Sequence, residues 1–287
     1  VTRPRVPATL LVLLAIGSVQ FGGALAATLI PLVGVAGSVA LRLAIAGALM
    51  LVLLRPGVRG HSRRDWGTVI AFGCSLALMN SAFYASLARL PIGVAVTIEF
   101  VGPLVLSAVL SRRARDLVAV AAAAVGVVLV SGVAGTHVDR LDPVGVALAL
   151  IAGGAWAAYI LLSARAGARF PRLDGLALAM LVATVIVAPV GIATAGRELL
   201  APDVLLKGAG IAVLSSVLPY SLELLALRRL KASVFGVLLS LEPAVAAFAG
   251  LLVLGQSLSP MQLAGMAAVV AASASVTRKE PGAPPEP

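Results

Sequence analysis

Along the chain, apolar residues come in long runs broken by short clusters of arginine, proline and glycine. The runs fall at residues 9–27, 34–54, 66–87, 91–110, 117–134, 143–163, 173–195, 204–225, 232–254 and 261–276. Each is close to the roughly 20 helical residues that span a hydrocarbon core. No soluble amphipathic period of alternating polar faces interrupts them. The pattern predicts an all-α membrane protein with ten transmembrane helices. Two breaks are short. Arg89-Leu90-Pro91 marks one, because proline suits the opening turn of the next helix. The charged string from Ser111 to Asp116 marks the other. The first run reads as a retained helix rather than a cleaved leader, since no soluble domain follows it.

Composition agrees. Of the 287 residues, 60% are hydrophobic and 12% are charged, and the mean hydropathy is +1.07. A soluble domain carries about 25% charged residues, so lipid must be the solvent for much of this surface. The net charge of +10 would suggest nucleic acid in a soluble protein. Here the basic residues sit in the connections, without a basic domain or interleaved aromatics, so no nucleic-acid partner is expected.

The positions of those charges predict the topology. With a cytoplasmic N-terminus, 17 of the 22 basic residues fall in inner segments. Only Arg89, Arg140, Arg197 and Lys207 fall outside, and Arg42 lies within the second span. Excess Lys and Arg mark cytoplasmic loops, so both termini are expected in the cytoplasm. The proline-rich segment 277–287 reads as a disordered cytoplasmic tail.

A repeat is visible. Leu87-Ala-Arg89-Leu90 returns 140 residues later as Leu227-Arg-Arg229-Leu230, with Val94 matching Val234 and Pro103 matching Pro243. Five spans per unit is odd, so the two halves, 1–140 and 141–276, are expected to be inverted repeats. Small residues at four-residue spacing (Gly145, Ala149, Gly153, Ala157; Ala122, Gly126; Ala264, Ala268, Ala272) predict faces where helix backbones approach closely. The single cysteine, Cys74, reads as a small buried residue.

Four formal charges lie within spans: Arg42, Glu99, Glu223 and Glu242. Such residues are costly in a bilayer and default to functional candidates. Arg42 and Glu99 are mid-span and could form a structural ion pair. Alternatively, Glu99 could bind substrate or a coupling proton. Glu223 lies near a span end beside Arg228 and Arg229, which suggests an interfacial pair. Glu242 precedes Pro243 and divides evenly between structure and function. Prolines deprive the carbonyl four residues earlier of its donor: Pro103 does this to Glu99, Pro219 to Ser215, and Pro243 to Leu239. Kinks are expected at all three. Asn80, Tyr84, Trp156, Tyr159 and Tyr220 are further candidates for a substrate-binding or coupling site, with Gln20 weaker. No aspartate is placed in a span.

These residues resemble a known family. Asn80-Ser-Ala-Phe-Tyr84, the string from Leu90 to Leu104, Leu218 to Leu230 and Ser240 to Ala247 are similar to helix motifs of the EamA-type drug/metabolite transporter superfamily, and of its threonine/homoserine exporters. The resemblance implies a secondary transporter exporting small amino acids or related metabolites, with a central cavity onto which Asn80, Tyr84, Glu99 and Tyr220 map. The chain departs from the pattern at Leu254-Gly255-Gln256, where the superfamily commonly has Leu-Gly-Glu.

Other classes fit less well. No GxxxxGK[ST] string supplies an ATPase motor, and no HExxH string occurs. His61 and His137 fall in loops, and one cysteine cannot build a multi-cysteine metal site. No catalytic residue, metal or cofactor is expected. The anticipated partners are a small polar substrate, the bilayer and a coupling proton. A channel or an intramembrane enzyme is the less favoured alternative.

Overall fold

The computed structural model describes residues 6–27, 29–87, 89–90, 92–110, 114–131, 142–242, 244–245 and 260–277. Pro243, Gln256, Arg140, His137 and the tail beyond Thr277 lie outside the described residues. All regular structure among the described residues is helical. The helices are α1 (Ala8–Ala27), α2 (Ile30–Leu54), α3 (Arg63–Leu87), α4 (Ile92–Leu110), α5 (Ala114–Ser131), α6 (Pro143–Arg169), α7 (Asp174–Ala195), α8 (Pro202–Ala212), α9 (Leu218–Leu227), α10 (Ala232–Leu239) and α11 (Pro260–Thr277). A helix lies at each of the ten expected spans, because α8 and α9 continue one another. Five stretches are long and apolar enough to cross a membrane: Ile30–Leu54, Arg63–Ser86, Pro143–Arg169, Asp174–Leu200 and Pro202–Leu227.

Local chemistry sets the helix ends. Ser62 and Asp65 form a reciprocal cap at the start of α3, with Asp65 N on Ser62 Oγ at 3.2 Å and Ser62 N on Asp65 Oδ2 at 3.0 Å. Asp142 caps α6 by accepting from the amides of Val144 and Gly145, and it pairs with Arg89 at 3.0 Å. Arg89 and those helix amides hold the Asp142 carboxyl below its ordinary value of 3.8. Gly34 breaks the second span with φ +68°, a left-handed conformation that glycine adopts without strain. The sequence-predicted start of that span coincides with this break.

Three expectations change here. Pro219 produces a π-turn at Val213–Val217 rather than a simple kink, with Leu218 N bonding Val213 O. Cys74 is exposed, not buried. It shares an outward stripe with Ile70 and Leu78, which are also exposed. An apolar thiol facing lipid carries no solvation penalty. Asp174 opens α7 and is 3% exposed, with Arg172 at 3.6 Å, so one aspartate does belong to a span.

The core is largely apolar, but so is the outer surface, unlike that of a soluble fold. Val109, Val118 and Leu206 are among the most exposed side chains. Arg42, Asn80, Glu99 and Glu223 are buried, together with Ser75, Ser163, Ser215 and Ser240. Apolar groups outside and polar groups inside is the arrangement lipid imposes.

The helix neighbours form a reciprocal set. α3 packs along α6, and α9 packs along α1; α3 also lies on α7, and α8 on α2. α2 meets α7, α5 meets α11, and α4 meets α10. Small residues allow the closest approach, between α4 and α6. A Cβ on Gly102 would fall on the Gly153 carbonyl, and one on Gly153 would fall on the Glu99 carbonyl. The stripe that includes Gly145, Ala149 and Gly153 is therefore a packing face.

Candidate functional site

The buried polar side chains of α2, α3, α6 and α9 meet in one network. Arg42, near the middle of α2, donates through Nη2 to Asn80 Oδ1 and through Nη1 to Tyr84 Oη at 3.3 Å. The Tyr84 ring faces the guanidinium, with Cζ 5.5 Å from its centroid. Asn80 is fixed by two donations from Nδ2, to Leu76 O at 2.8 Å and to Tyr220 Oη at 3.3 Å. Asn80 and Tyr84 lie four residues apart on α3, so both face Arg42.

The network continues through aromatic rings. Tyr220 packs on Tyr159 with centroids 5.6 Å apart, and Tyr159 Oη donates to Glu223 Oε2 at 2.5 Å. Phe72 closes against Tyr159 at 5.5 Å. Trp156, one helical turn before Tyr159, stands edge-on to Phe100 at 5.1 Å. Phe100 follows Glu99 directly, so α6 carries the aromatic layer from Glu223 toward α4.

Among the described residues, no cation forms an ion pair with Glu99, Glu223 or Glu242. Glu242, half-buried just beyond α10, lies within electrostatic reach of both Glu223 and Glu99. Glu99 is 7% exposed. Among the described residues none hydrogen-bonds or pairs with its carboxylate. Pro103 lies inside α4, so the Glu99 carbonyl has no helical donor, and the Gly153 backbone packs against it instead.

Two readings of the charged residues are corrected. Arg42 and Glu99 do not form an ion pair. Arg42 sits on α2, which packs on α7 and α8, whereas α4 packs on α6, α5 and α10. Glu223 does not pair with Arg228 or Arg229 at an interface. It is 5% exposed and bonded to Tyr159. Arg228 instead donates to the carbonyls of Gly167, Phe170 and Arg172 at the end of α6, at 2.8, 2.8 and 2.5 Å. Arg229 reaches Val6 O at 3.0 Å.

Gln20 stands apart, half-buried on α1 with no side-chain hydrogen bond among the described residues. Its neighbour Ser18 bonds Leu214 O at 2.7 Å, beside the π-turn that Pro219 helps create. The serines of this interior escaped the sequence reading. Ser75 donates to Ala155 O at 2.6 Å and ties α3 to α6. Serine is too common in helices for sequence alone to single it out. A separate apolar groove of about 380 Å³ runs between α4 and α6, lined by Ile98, Val101, Gly102, Val105, Leu150 and Gly154. Val101 and Val105 are exposed, so this groove belongs to the lipid-facing side and not to the polar network.

Lipid-facing helices around a buried network of ionisable and aromatic groups define a multi-pass membrane transporter. The comparisons agree. A family model described as the EamA-like transporter family matches residues 143–278. The threonine/homoserine exporter RhtA of Escherichia coli K12 is 41% identical over 273 residues, covering 94% of this chain and 92% of that protein. The protein of the same name from Salmonella typhimurium LT2 is 40% identical over 275 residues, covering 95% and 92%. A crystal structure of a protein 20% identical superimposes with a TM-score of 0.78 over 94% of this chain and 96% of the other, a likeness of fold. The chain belongs to the EamA-like transporter family, alongside RhtA.

Proposed function

We propose that this protein exports small amino acids of the threonine and homoserine type across the bacterial inner membrane by alternating access. The carrying observation is the similarity to RhtA along nearly the whole chain. The interior is chemically suitable: buried Arg42, Glu99 and Glu223 together with hydrogen-bonding aromatics, all projecting from helices.

In this reading the transporter is two inverted five-helix halves, residues 1–140 and 141–276. The 140-residue offset in sequence supports it, as does the reciprocal packing of α3 on α6 and α9 on α1. Asn80 and Tyr220 are separated by the same 140 residues and hydrogen-bond each other. Equivalent residues meet in this way when they straddle a two-fold axis. The charge bias supports cytoplasmic termini. Asn80, Tyr84, Trp156, Tyr159 and Tyr220 line the substrate path, with Gln20 at its edge. Glu99, Glu223 and Glu242 supply its acidic side, and Glu99 carries the coupling proton. Pro103 and Pro219 loosen the helices around it.

The reading is tested by expressing the protein in a strain lacking its own threonine and homoserine exporters. Increased tolerance to external homoserine and faster threonine efflux are expected. Unchanged tolerance with the protein correctly inserted would contradict it.

A further inference from the structure

Among the described residues, none neutralises the charge of Arg42 by contact. It is 6% exposed at mid-span. Among the described residues no carboxylate lies within ion-pair distance of it, whereas Arg89, Arg169 and Arg172 each meet an aspartate. Its partners Asn80 and Tyr84 are neutral acceptors. They satisfy two of the five N–H donors but leave the charge uncompensated. Its Nε is buried with no partner at all.

The orientation of this cation is fixed. Asn80 is anchored through Nδ2 to Leu76 O and Tyr220 Oη, which aims its Oδ1 at the guanidinium. The Tyr84 ring and hydroxyl hold the other side. Both terminal nitrogens are therefore engaged while the Nε edge is unused. A side-on carboxylate accepts from Nε and one terminal nitrogen together. Asn80, which accepts from Arg42, donates to Tyr220 Oη; Tyr220 packs on Tyr159, and Tyr159 donates to Glu223. Two aromatic side chains thus link the cation's partner to that acid, and no direct ion pair joins Arg42 to Glu223 among the described residues.

We propose that Arg42 is the anchor for the free α-carboxylate of the transported amino acid, received side-on at its Nε edge. This rests on the exporter reading and deepens it. The missing counter-ion is the substrate itself, and its arrival neutralises the guanidinium before the helices close around the site.

The test uses the purified protein in proteoliposomes. Transport of labelled L-threonine is competed by unlabelled L-threonine, threoninamide and threonine methyl ester. Loss of a bidentate, charge-assisted contact should weaken the amide and the ester by roughly tenfold or more relative to threonine. Arg42→Lys keeps the charge but loses the fork, so KM should rise while the preference for the free acid survives. Arg42→Gln should abolish that preference. Equal competition by acid, amide and ester on the unmodified protein would overturn the proposal, as would an Arg42→Gln protein that keeps the preference. If Arg42→Gln fails to fold, the ratio on the unmodified protein decides alone. Transport of threonine and its amide alike sinks the anchor and spares the exporter reading. Transport of no amino acid in any form sinks both.

Discussion

Tyr159 and Glu223, on two different helices, share a 2.5 Å hydrogen bond in the middle of the protein. Both side chains are buried, so the bond is not diluted by water. Removing the donor with Tyr159→Phe strands a buried carboxyl group. A loss of about 1–3 kcal/mol of stability is expected, with reduced export. In a Glu223→Leu background, which offers the Tyr159 hydroxyl no acceptor, the same change should cost less, because the two residues act as a unit. Thermal unfolding of the four proteins in detergent measures this. Additive losses would mean that the bond contributes nothing of its own.

The α4–α6 contact gives a paired prediction. Gly153→Ala drives a Cβ into the Glu99 carbonyl, whereas a Cβ on the adjacent Gly154 meets open space. Overpacking at such a site costs about 1–3 kcal/mol. Gly153→Ala should therefore lower the melting temperature and the yield of inserted protein, and Gly154→Ala should not. Equal behaviour of the two would refute the close approach.

Much of this architecture was legible in the sequence, and the reason is lipid. A bilayer demands long apolar helices, so run length alone located a helix at every expected span. What remained hidden depends on which helices are neighbours. Glu223 sits five and six residues from two arginines in sequence, yet it points into the bundle at Tyr159. Arg228 points to the α6 carbonyls. Arg42 and Glu99 share a depth but belong to helices that pack on different partners. Cys74 was misjudged because exposure here means exposure to lipid. Asn80, Tyr84 and Tyr220 were recoverable, since polar groups in apolar runs are conspicuous.

Arg228 makes a third prediction. Its fork satisfies the carbonyls of Gly167 and Phe170, which the end of α6 leaves without helical donors, and that of Arg172 in the connection to α7. Arg228→Ala should destabilise the protein by roughly 1.5–3 kcal/mol, the range for hydrogen bonds to charged groups. Arg228→Lys should recover only part of this, because an ammonium cannot reproduce the fork. Full recovery by lysine would show that charge, not geometry, matters there.

The Arg89–Asp142 pair predicts an acid dependence. Arg89 and the α6 amides hold the Asp142 carboxyl below its ordinary 3.8. A depressed value contributes stability that is present above the unfolded-state value and lost as pH falls through the folded one. The contribution should thus be intact at neutral pH, begin to fall below about pH 4, and be lost as pH drops through the depressed folded value. Asp142→Asn keeps a helix cap but cannot titrate, so its unfolding curve should be flatter in that acid window. Parallel curves for both proteins would exclude the pair as a source of acid sensitivity.

Counterflow in proteoliposomes tests the proposed proton-coupled amino-acid export through Glu99 most directly. Labelled threonine uptake should saturate, should be stimulated by unlabelled threonine or homoserine on the opposite side, and should respond to an imposed pH gradient. Glu99→Gln should still insert and exchange threonine, but lose the response to the gradient. Flux that rises linearly without saturation would contradict the carrier, and an unaltered pH response in Glu99→Gln would contradict the role given to Glu99.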